Sequence, residues 1–109
     1  MIIEEGQSPF YIFTIRDDSG EVIARASLFC ITNELHENPY GLLEDVFVEE
    51  AHRKKGLAKQ LVEKVIDKAQ ELGHYKLVAT SRYERLLVHK LYGEIGFEDH
   101  GKSFRINLC

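Results

Sequence analysis

Two carboxylates stand inside an apolar run near the middle of the chain, where residues 42–48 read LLEDVFV. Side chains of a strand alternate between its two faces, which predicts one face with Leu42, Glu44, Val46 and Val48 and another with Leu43, Asp45 and Phe47. A carboxylate that is partly withdrawn from water can act as a general base. For Asp45 the simpler interpretation is a structural one, either a position near a sheet edge or a contact with a buried partner, whereas for Glu44 a catalytic and a structural role both stay open.

A basic turn with one glycine follows, with the sequence HRKKGLA at residues 52–58. The first N–H groups of a helix have no intrahelical partner and lie at the positive end of the helix dipole, so an anion is favoured there. Gly56 has no Cβ and would let a phosphate approach the backbone closely. The pattern alone is equally compatible with a solvated basic turn, and it lacks the Lys-Ser/Thr ending of a nucleotide P-loop.

The elements around these residues follow strand and helix patterns. β-Branched and aromatic residues at 10–15 and 22–31 flank the turn-forming sequence RDDSGE, which predicts an antiparallel hairpin. The next strand is predicted at 42–48. Apolar residues then recur every three or four positions over 57–72, which predicts a helix that ends at Gly73.

The second half of the chain continues this alternation. The short run YKLVATS predicts a strand parallel to 42–48, so that the helix between them is the crossover of a β–α–β unit. A second helix is predicted over about 84–95, stopped by Gly96 and followed by an apolar contact from Phe97. The run KSFRINL predicts a closing strand. Together these elements predict an α/β fold with a mixed central sheet flanked by helices.

Length and composition limit the class of protein. With 109 residues, 44% hydrophobic and 29% charged, the chain fits a single domain over residues 1–109. The net charge of −4 argues against general binding to nucleic acid or to an anionic membrane, and no second basic cluster supports nucleic-acid binding by HRKK. We find no apolar run long enough to span a membrane and no signal-like start, which predicts a cytoplasmic protein.

The cysteines and histidines do not predict a metal site. Cys30 lies in an apolar run and is predicted to be in the core, while Cys109 is the last residue. The two have neither metal-ligand spacing nor the density of a disulfide scaffold. The histidines share no ligand spacing either, so no metal is predicted.

Two motifs, in this order, resemble the signatures of one known family. The first is the turn Arg53-Lys54-Lys55-Gly56-Leu57-Ala58, which resembles the Arg/Gln-x-x-Gly-x-Gly/Ala signature of the GCN5-related N-acetyltransferases (GNATs), with which they bind acetyl-coenzyme A (acetyl-CoA). The second is LYGEIGF at 91–97, which is similar to the family's Phe-Tyr-x-x-x-Gly-Phe type of sequence. The resemblance covers about residues 10–108, and two motifs in order are more specific than either one.

The resemblance implies acetyl transfer from acetyl-CoA to an amine and assigns roles to residues. It implies that the pyrophosphate rests on the turn formed by Arg53, Lys54, Lys55, Gly56, Leu57 and Ala58, and that the pantetheine arm runs along Val46, Phe47 and Val48. It also implies that Tyr92 protonates the departing thiolate. LLEDVFV looks like the strand of members that acetylate polyamines or related small amines, so Glu44 would be the base that deprotonates the ammonium acceptor.

The sequence departs from the family's pattern in two places. Arg85 stands seven residues before Tyr92, where the family commonly has an Asn that contacts the cofactor, and Arg85 could reach a phosphate instead. Only about nine residues precede the Phe10 strand, so we expect the usual N-terminal helix pair, one wall of the acceptor site, to be lacking. A second copy in a homodimer could complete that wall, or an open site could accept an amine of a protein. These departures favour one alternative function, a non-catalytic acyl-CoA-binding module that regulates a partner.

Overall fold

The structure is a computed structural model that describes residues 10–109. These residues form β1 (Phe10–Arg16), β2 (Val22–Ile31), β3 (Tyr40–Val48), α1 (Leu57–Glu71), β4 (Leu77–Ala79) and α2 (Leu86–Ile95), with a short 3₁₀ helix at Glu50–His52. The chain divides into two compact units, a first unit that ends at Ala79 and a second unit at Thr80–Cys109. The single domain over residues 1–109 stays a prediction. No helix among the described residues is long and apolar enough to cross a membrane.

The hairpin of β1 and β2 begins the sheet of the first unit. Its turn is held by Asp17, whose Oδ1 accepts hydrogen bonds from the N–H groups of Ser19 and Glu21, both at 3.0 Å, and from the Ser19 hydroxyl. These hydrogen bonds hold the pKa of the Asp17 carboxyl below its usual value. Gly20, with φ of 89°, supplies the left-handed residue of the turn. The predicted antiparallel hairpin is confirmed.

A β–α–β unit completes the sheet, whose strand order is β1-β2-β3-β4. β3 pairs antiparallel with β2 and parallel with β4, and α1 is the crossover between β3 and β4, as predicted. α1 ends in a Schellman motif: Gly73 has φ of 77° and donates to the Gln70 carbonyl, and the His74 N–H donates to the Ala69 carbonyl at 3.0 Å. The predicted glycine end of this helix is confirmed.

α1 packs its apolar stripe against one face of the sheet. The side chains of this core are at most 4% exposed: Ala24, Ala26, Leu28 and Cys30 from β2, Leu43 from β3, and Leu61, Val62, Val65 and Ala69 from α1. The predicted core position of Cys30 is confirmed, and burial raises the pKa of its thiol. The sheet therefore has one thoroughly buried face.

The opposite face of the sheet, which we call the far face, is less well covered. Phe10 and Ile12 of β1 pair with Phe29 and Ser27 of β2 on this face, and they remain 55% and 56% exposed. α1 is the only α-helix among the described residues of the first unit, and it lies on the other side. No helix of that unit therefore covers the far face.

The alternation of β3 breaks at Asp45, which corrects the predicted faces of this strand. Ser27 pairs with Glu44 and Arg25 pairs with Phe47, so β3 has one residue more than β2 between these two pairs. The extra residue makes a β-bulge, where Asp45 takes φ of 54°, a left-handed conformation that Asp tolerates better than most residues. Glu44 and Phe47 consequently share the far face, and the prediction of opposite faces for them is wrong.

α2 and the segment after it form the second unit. α2 ends at Gly96, which has φ of 123°, and the N–H groups of Gly96 and Phe97 both donate to the Tyr92 carbonyl. The rings of Tyr92 and Phe97 lie 5.2 Å apart, so the predicted glycine stop with its apolar contact is confirmed. No residue of α2 is buried, and Leu87 is 81% exposed.

The closing strand predicted from KSFRINL is not formed, and this prediction is wrong. Residues 96–109 contain no helix or strand. A strand exists only by pairing with a neighbour, and within the described chain this segment joins no sheet. Its apolar side chains Phe104, Ile106 and Leu108 are 81–89% exposed.

Candidate active site

The predicted phosphate cradle lies where α1 begins. Gly56 is the N-cap with φ of 78°, and a Cβ built on it would meet no atom within 4 Å, so the space beside the backbone is open. No side chain caps this helix. Among the described residues, the N–H groups of Leu57 and Ala58 therefore have no partner and are free to bind a ligand. Such a helix start favours an anion.

The three basic residues before Gly56 have different positions. Arg53 Nε donates to the Val48 carbonyl at 3.0 Å, and the Arg53 N–H donates to the Glu50 carbonyl, so this residue ties the turn to the end of β3. Lys54 takes φ of 66° and is exposed, as is Lys55. The two lysines can therefore offer charge to a phosphate, while Arg53 fixes the position of the turn.

β3 and β4 separate shortly before this turn, a feature that sequence reasoning missed. Their parallel pairing includes only Gly41–Leu43 and Leu77–Ala79. β3 continues to Val48, so from Glu44 onward its edge towards β4 faces no strand among the described residues. Backbone N–H and C=O groups on such an edge can bind an extended ligand that contains amides. No single residue type in YKLVATS signals how early the pairing stops.

Glu44 lies at the point of separation, directly after Leu43, the last residue of β3 that pairs with β4. Its cross-strand neighbour on the far face is Ser27, which is 6% exposed, and Glu44 itself is half-buried. Its carboxylate makes no hydrogen bond or ion pair with any described residue. Further along the far face, the Arg25 guanidinium lies 5.3 Å from the centre of the Phe47 ring. Glu44 thus presents an unpaired carboxylate beside the exposed edge.

The residues that follow Glu44 are divided between the two faces by the bulge. Phe47 is on the far face and 41% exposed, whereas Val48 pairs with Ala24, a residue of the buried face. The prediction that Glu44 shares a face with Val48 is therefore wrong. Val46 is half-buried, and Asp45 is exposed, in line with its interpretation as a residue near a sheet edge.

Two further predicted site residues belong to the second unit. Arg85 is the N-cap of α2, where its carbonyl accepts from the N–H groups of Val88 and His89, and its side chain is exposed. Tyr92 is half-buried and lies one turn before the end of α2. The first unit contains the other predicted site residues: Glu44, Val46, Phe47, Val48 and the turn from Arg53 to Ala58.

One titratable group of the first unit is buried without a partner. Both ring nitrogens of His74 are shielded from water and have no hydrogen-bond partner, although part of the residue's surface remains exposed. Burial lowers the pKa of this imidazole. The described residues bring together no group of three or more His, Cys, Asp or Glu side chains that could hold a metal ion.

The sequence matches the model of the Acetyltransferase (GNAT) family over residues 2–97. This chain belongs to that family. The family and the fold predicted from the two motifs are thereby confirmed. GNAT acetyltransferases use acetyl-CoA, which is the cofactor that the motifs predicted.

One curated relative is similar to this chain in sequence, and two solved structures are similar to it in fold. The human (Homo sapiens) N-acetyltransferase 8 is 34% identical over 59 residues, which are 54% of this chain and 26% of that protein, so the match spans about a quarter of that relative. The structure of an acetyltransferase from Trypanosoma brucei has a TM-score of 0.82 at 25% identity, with 91% of this chain and 69% of that chain covered. AAC(6')-Iy, in complex with the bisubstrate analog CoA-S-monomethyl-acetylneamine, has a TM-score of 0.74 at 25% identity, with 92% and 70% covered.

Proposed function

We propose that this protein is an N-acetyltransferase that transfers an acetyl group from acetyl-CoA to a primary amine by direct attack. The observation that carries the proposal is the combination of two features in the first unit. β3 separates from β4 after Leu43, and α1 begins nearby in sequence at Leu57 without a side-chain cap. An extended ligand with amides at one end and phosphates at the other fits this combination. Membership of the GNAT family supports the same ligand.

The cradle residues fit the pyrophosphate of acetyl-CoA. Gly56 leaves open space beside the backbone, Lys54 and Lys55 are exposed cations, and the first turn of α1, which the structure describes, contains no acidic residue. Acetyl-CoA would supply the acetyl thioester. Val46, Phe47 and Val48 would hold its pantetheine arm through the backbone groups of the exposed edge. Arg85 could add a contact to a phosphate from α2.

Glu44 is the general base in this proposal. An ammonium acceptor must lose a proton before its nitrogen can attack the thioester carbon, and a carboxylate without an ion pair both attracts the cation and takes the proton. Tyr92 would donate a proton to the thiolate that leaves, a role that rests on the family resemblance. Since the amine attacks directly, no nucleophilic side chain is required.

The acceptor is proposed to be a primary amine of a small molecule, such as a polyamine, or of a protein. AAC(6')-Iy bound to an analog that joins CoA to acetylneamine shows an amine acceptor for that relative. In the present chain the far face beside Glu44 is open, with Phe10 and Ile12 more than half exposed. We propose that a homodimer completes the acceptor site. The proposed location of the protein is the cytoplasm.

The first test measures binding of acetyl-CoA, CoA and dephospho-CoA by isothermal titration. Gly56→Asp would bring a negative charge and a strained residue to the helix start, so we expect affinity to fall by about 100-fold or more. Gly20→Asp is the matched control, since Gly20 also has positive φ and open space but lies in the hairpin turn. The control should bind as the wild type does. Absence of binding to the wild-type protein would overturn the proposal.

The second test measures turnover with a panel of amines by the release of CoA thiol. Glu44→Gln should lower kcat by about 10²–10⁴-fold with unchanged acetyl-CoA affinity, because a general base contributes that much. Asp45→Asn is its control, since it removes the neighbouring carboxylate and Asn tolerates the left-handed conformation of the bulge. Tyr92→Phe should also lose turnover and keep binding. Tight binding without turnover on any amine would favour the non-catalytic module instead.

A further inference from the structure

The far face carries two opposite charges that are not paired with each other. Glu44 lies opposite Ser27 on this face, and Arg25 lies opposite Phe47, two residues away from Ser27 along β2. Neither the carboxylate of Glu44 nor the guanidinium of Arg25 forms an ion pair with any described residue. The two side chains are diagonal neighbours on one sheet, and such neighbours are about 7–8 Å apart. A ligand that carries both charges can therefore bridge them.

The Phe47 ring holds the Arg25 guanidinium on the far face. The guanidinium lies over this ring, 5.3 Å from its centre, while Arg25 as a whole is exposed. A guanidinium over an aromatic face keeps the N–H donors at its own edge available, and these donors match a carboxylate in a bidentate manner. The contact also restricts the side chain, so less conformational entropy is lost when a ligand binds. Arg25 is therefore prepared to bind a carboxylate.

On the side away from Arg25, the neighbours of Glu44 on the far face are apolar. Phe10, Phe29 and Leu42 pair in one row across three strands, and the rings of Phe10 and Phe29 stack 5.4 Å apart. These three described side chains offer no group that can bind a charged end of a ligand. The Arg25 side of Glu44 is therefore where this part of the far face can bind a second charge of an acceptor.

The order of the strands gives such a ligand a direction. Glu44 is on β3, next to the edge that faces no strand of the described chain, whereas Arg25 is one strand further from that edge, on β2. A thioester held at the edge would meet an amine that lies at Glu44. A group bound by Arg25 would then point away from the cofactor, so the two ligands would not compete for space.

We propose that the amine acceptor is a small ω-amino carboxylic acid, whose carboxylate is bound by Arg25 while its amine lies at Glu44. The proposal rests on the proposed function and narrows its acceptor, and the chemical step is unchanged. A chain of about four methylene groups, with bonds of about 1.5 Å, matches the separation of the two charges. A diamine of the same length places a second cation beside Arg25, where like charges repel. Arg25 is therefore a residue that determines specificity.

Turnover of three amines with carbon chains of equal length tests this specificity: δ-aminovalerate, cadaverine and n-pentylamine. The kcat/KM for δ-aminovalerate should exceed that for each of the others by about 10-fold or more, because hydrogen bonds to a charged group contribute that much. Arg25→Gln should remove this advantage by raising KM for δ-aminovalerate with kcat unchanged, and Arg25→Glu should reverse it in favour of cadaverine. Equal kcat/KM for the three amines, or an advantage that Arg25→Gln leaves intact, would overturn the proposal.

Arg16→Gln is the matched control for the loss of one positive charge. Arg16 is also an exposed arginine, but its guanidinium donates to the Gly20 carbonyl at 2.8 Å in the hairpin turn. Its cross-strand neighbour Val22 is five residues from Ser27, or about 17 Å along the strand. The control should therefore keep the advantage of δ-aminovalerate, and an equal loss in both variants would contradict a specific role of Arg25.

Isothermal titration of δ-aminovalerate into the protein, alone and with bound CoA, reads the same site without turnover. Arg25→Gln should weaken this binding by about 10-fold or more and leave the binding of n-pentylamine unchanged. Binding that depends on Arg25, without turnover of any amine, would support the site and overturn acetyl transfer. Turnover of n-pentylamine without any binding of δ-aminovalerate would overturn the proposal and leave acetyl transfer intact.

Discussion

In the first unit, Leu28, Val62 and Val65 are fully buried between α1 and β2, whereas in the second unit Leu87 of α2 is 81% exposed. Both units have apolar residues at the spacing that helices and strands require. Only the first unit pairs a helix with a sheet, and two layers are needed before an apolar stripe becomes a core. The free energy of folding therefore resides mainly in the first unit.

The largest effect should come from truncating the same residue type in each unit. Leu28→Ala should lower the free energy of unfolding by about 2–5 kcal/mol, because it leaves a cavity in a closed core. Leu87→Ala should change it by no more than about 0.5 kcal/mol, as expected for an exposed site. Urea unfolding followed by circular dichroism measures both. Equal losses in the two variants would show that the second unit is as closely packed as the first.

Adding a methyl group should have opposite effects in the two units. A Cβ on Gly41 would lie 2.8 Å from His74 Nδ1 and 2.8 Å from Leu28 Cδ1, so Gly41→Ala should destabilise by about 1–3 kcal/mol. A Cβ on Gly93, inside α2, would meet nothing within 4 Å, so Gly93→Ala should stabilise by about 0.5–1 kcal/mol. The same unfolding titrations decide the sign, and a stabilised Gly41→Ala would show that the first unit is not tightly packed there.

The smallest effect should be a pH dependence that belongs to the first unit. Because burial lowers the pKa of His74 from 6.5, the unfolded chain takes up the proton first, and stability should be lost as the pH falls below about 6.5 towards the lowered value. The slope from this group cannot exceed about 1.4 kcal/mol per pH unit. His74→Gln should flatten the curve between pH 7 and 5. An unchanged slope in His74→Gln would refute this assignment.

Periodic patterns predicted two kinds of element: those that pair with a neighbour close in sequence, and helices that are strongly amphipathic. The hairpin around RDDSGE, α1 with its end at Gly73 and the crossover to β4 were all predicted from spacing and turn residues. The segment 102–108 has an equally clear alternation, yet it forms no strand in the described chain. Alternation reports which residues can share a face, but pairing depends on a neighbour that local sequence does not specify.

Only part of the candidate site was predicted, because the rest of it also depends on pairing between distant segments. The glycine and the cations before α1 are a local signal, and the structure places them at an uncapped helix start. The bulge at Asp45 has no such signal, because no glycine marks it. It arises because β3 has one residue more than β2 between two successive cross-strand pairs. Alternation without the bulge put Glu44 and Phe47 on opposite faces. The early separation of β3 from β4 is likewise a property of two distant segments.

The buried thiol of Cys30 gives the protein an internal probe of opening motions. Cys30 is 4% exposed, and burial raises its pKa, so a thiol reagent can modify it only when α1 lifts from β2 or the sheet opens. Cys109 is exposed and would react at once, which makes Cys109→Ser the suitable background. The labelling rate of Cys30 then reports the free energy of local opening under native conditions, and a bound ligand that bridges β3 and α1 should slow it.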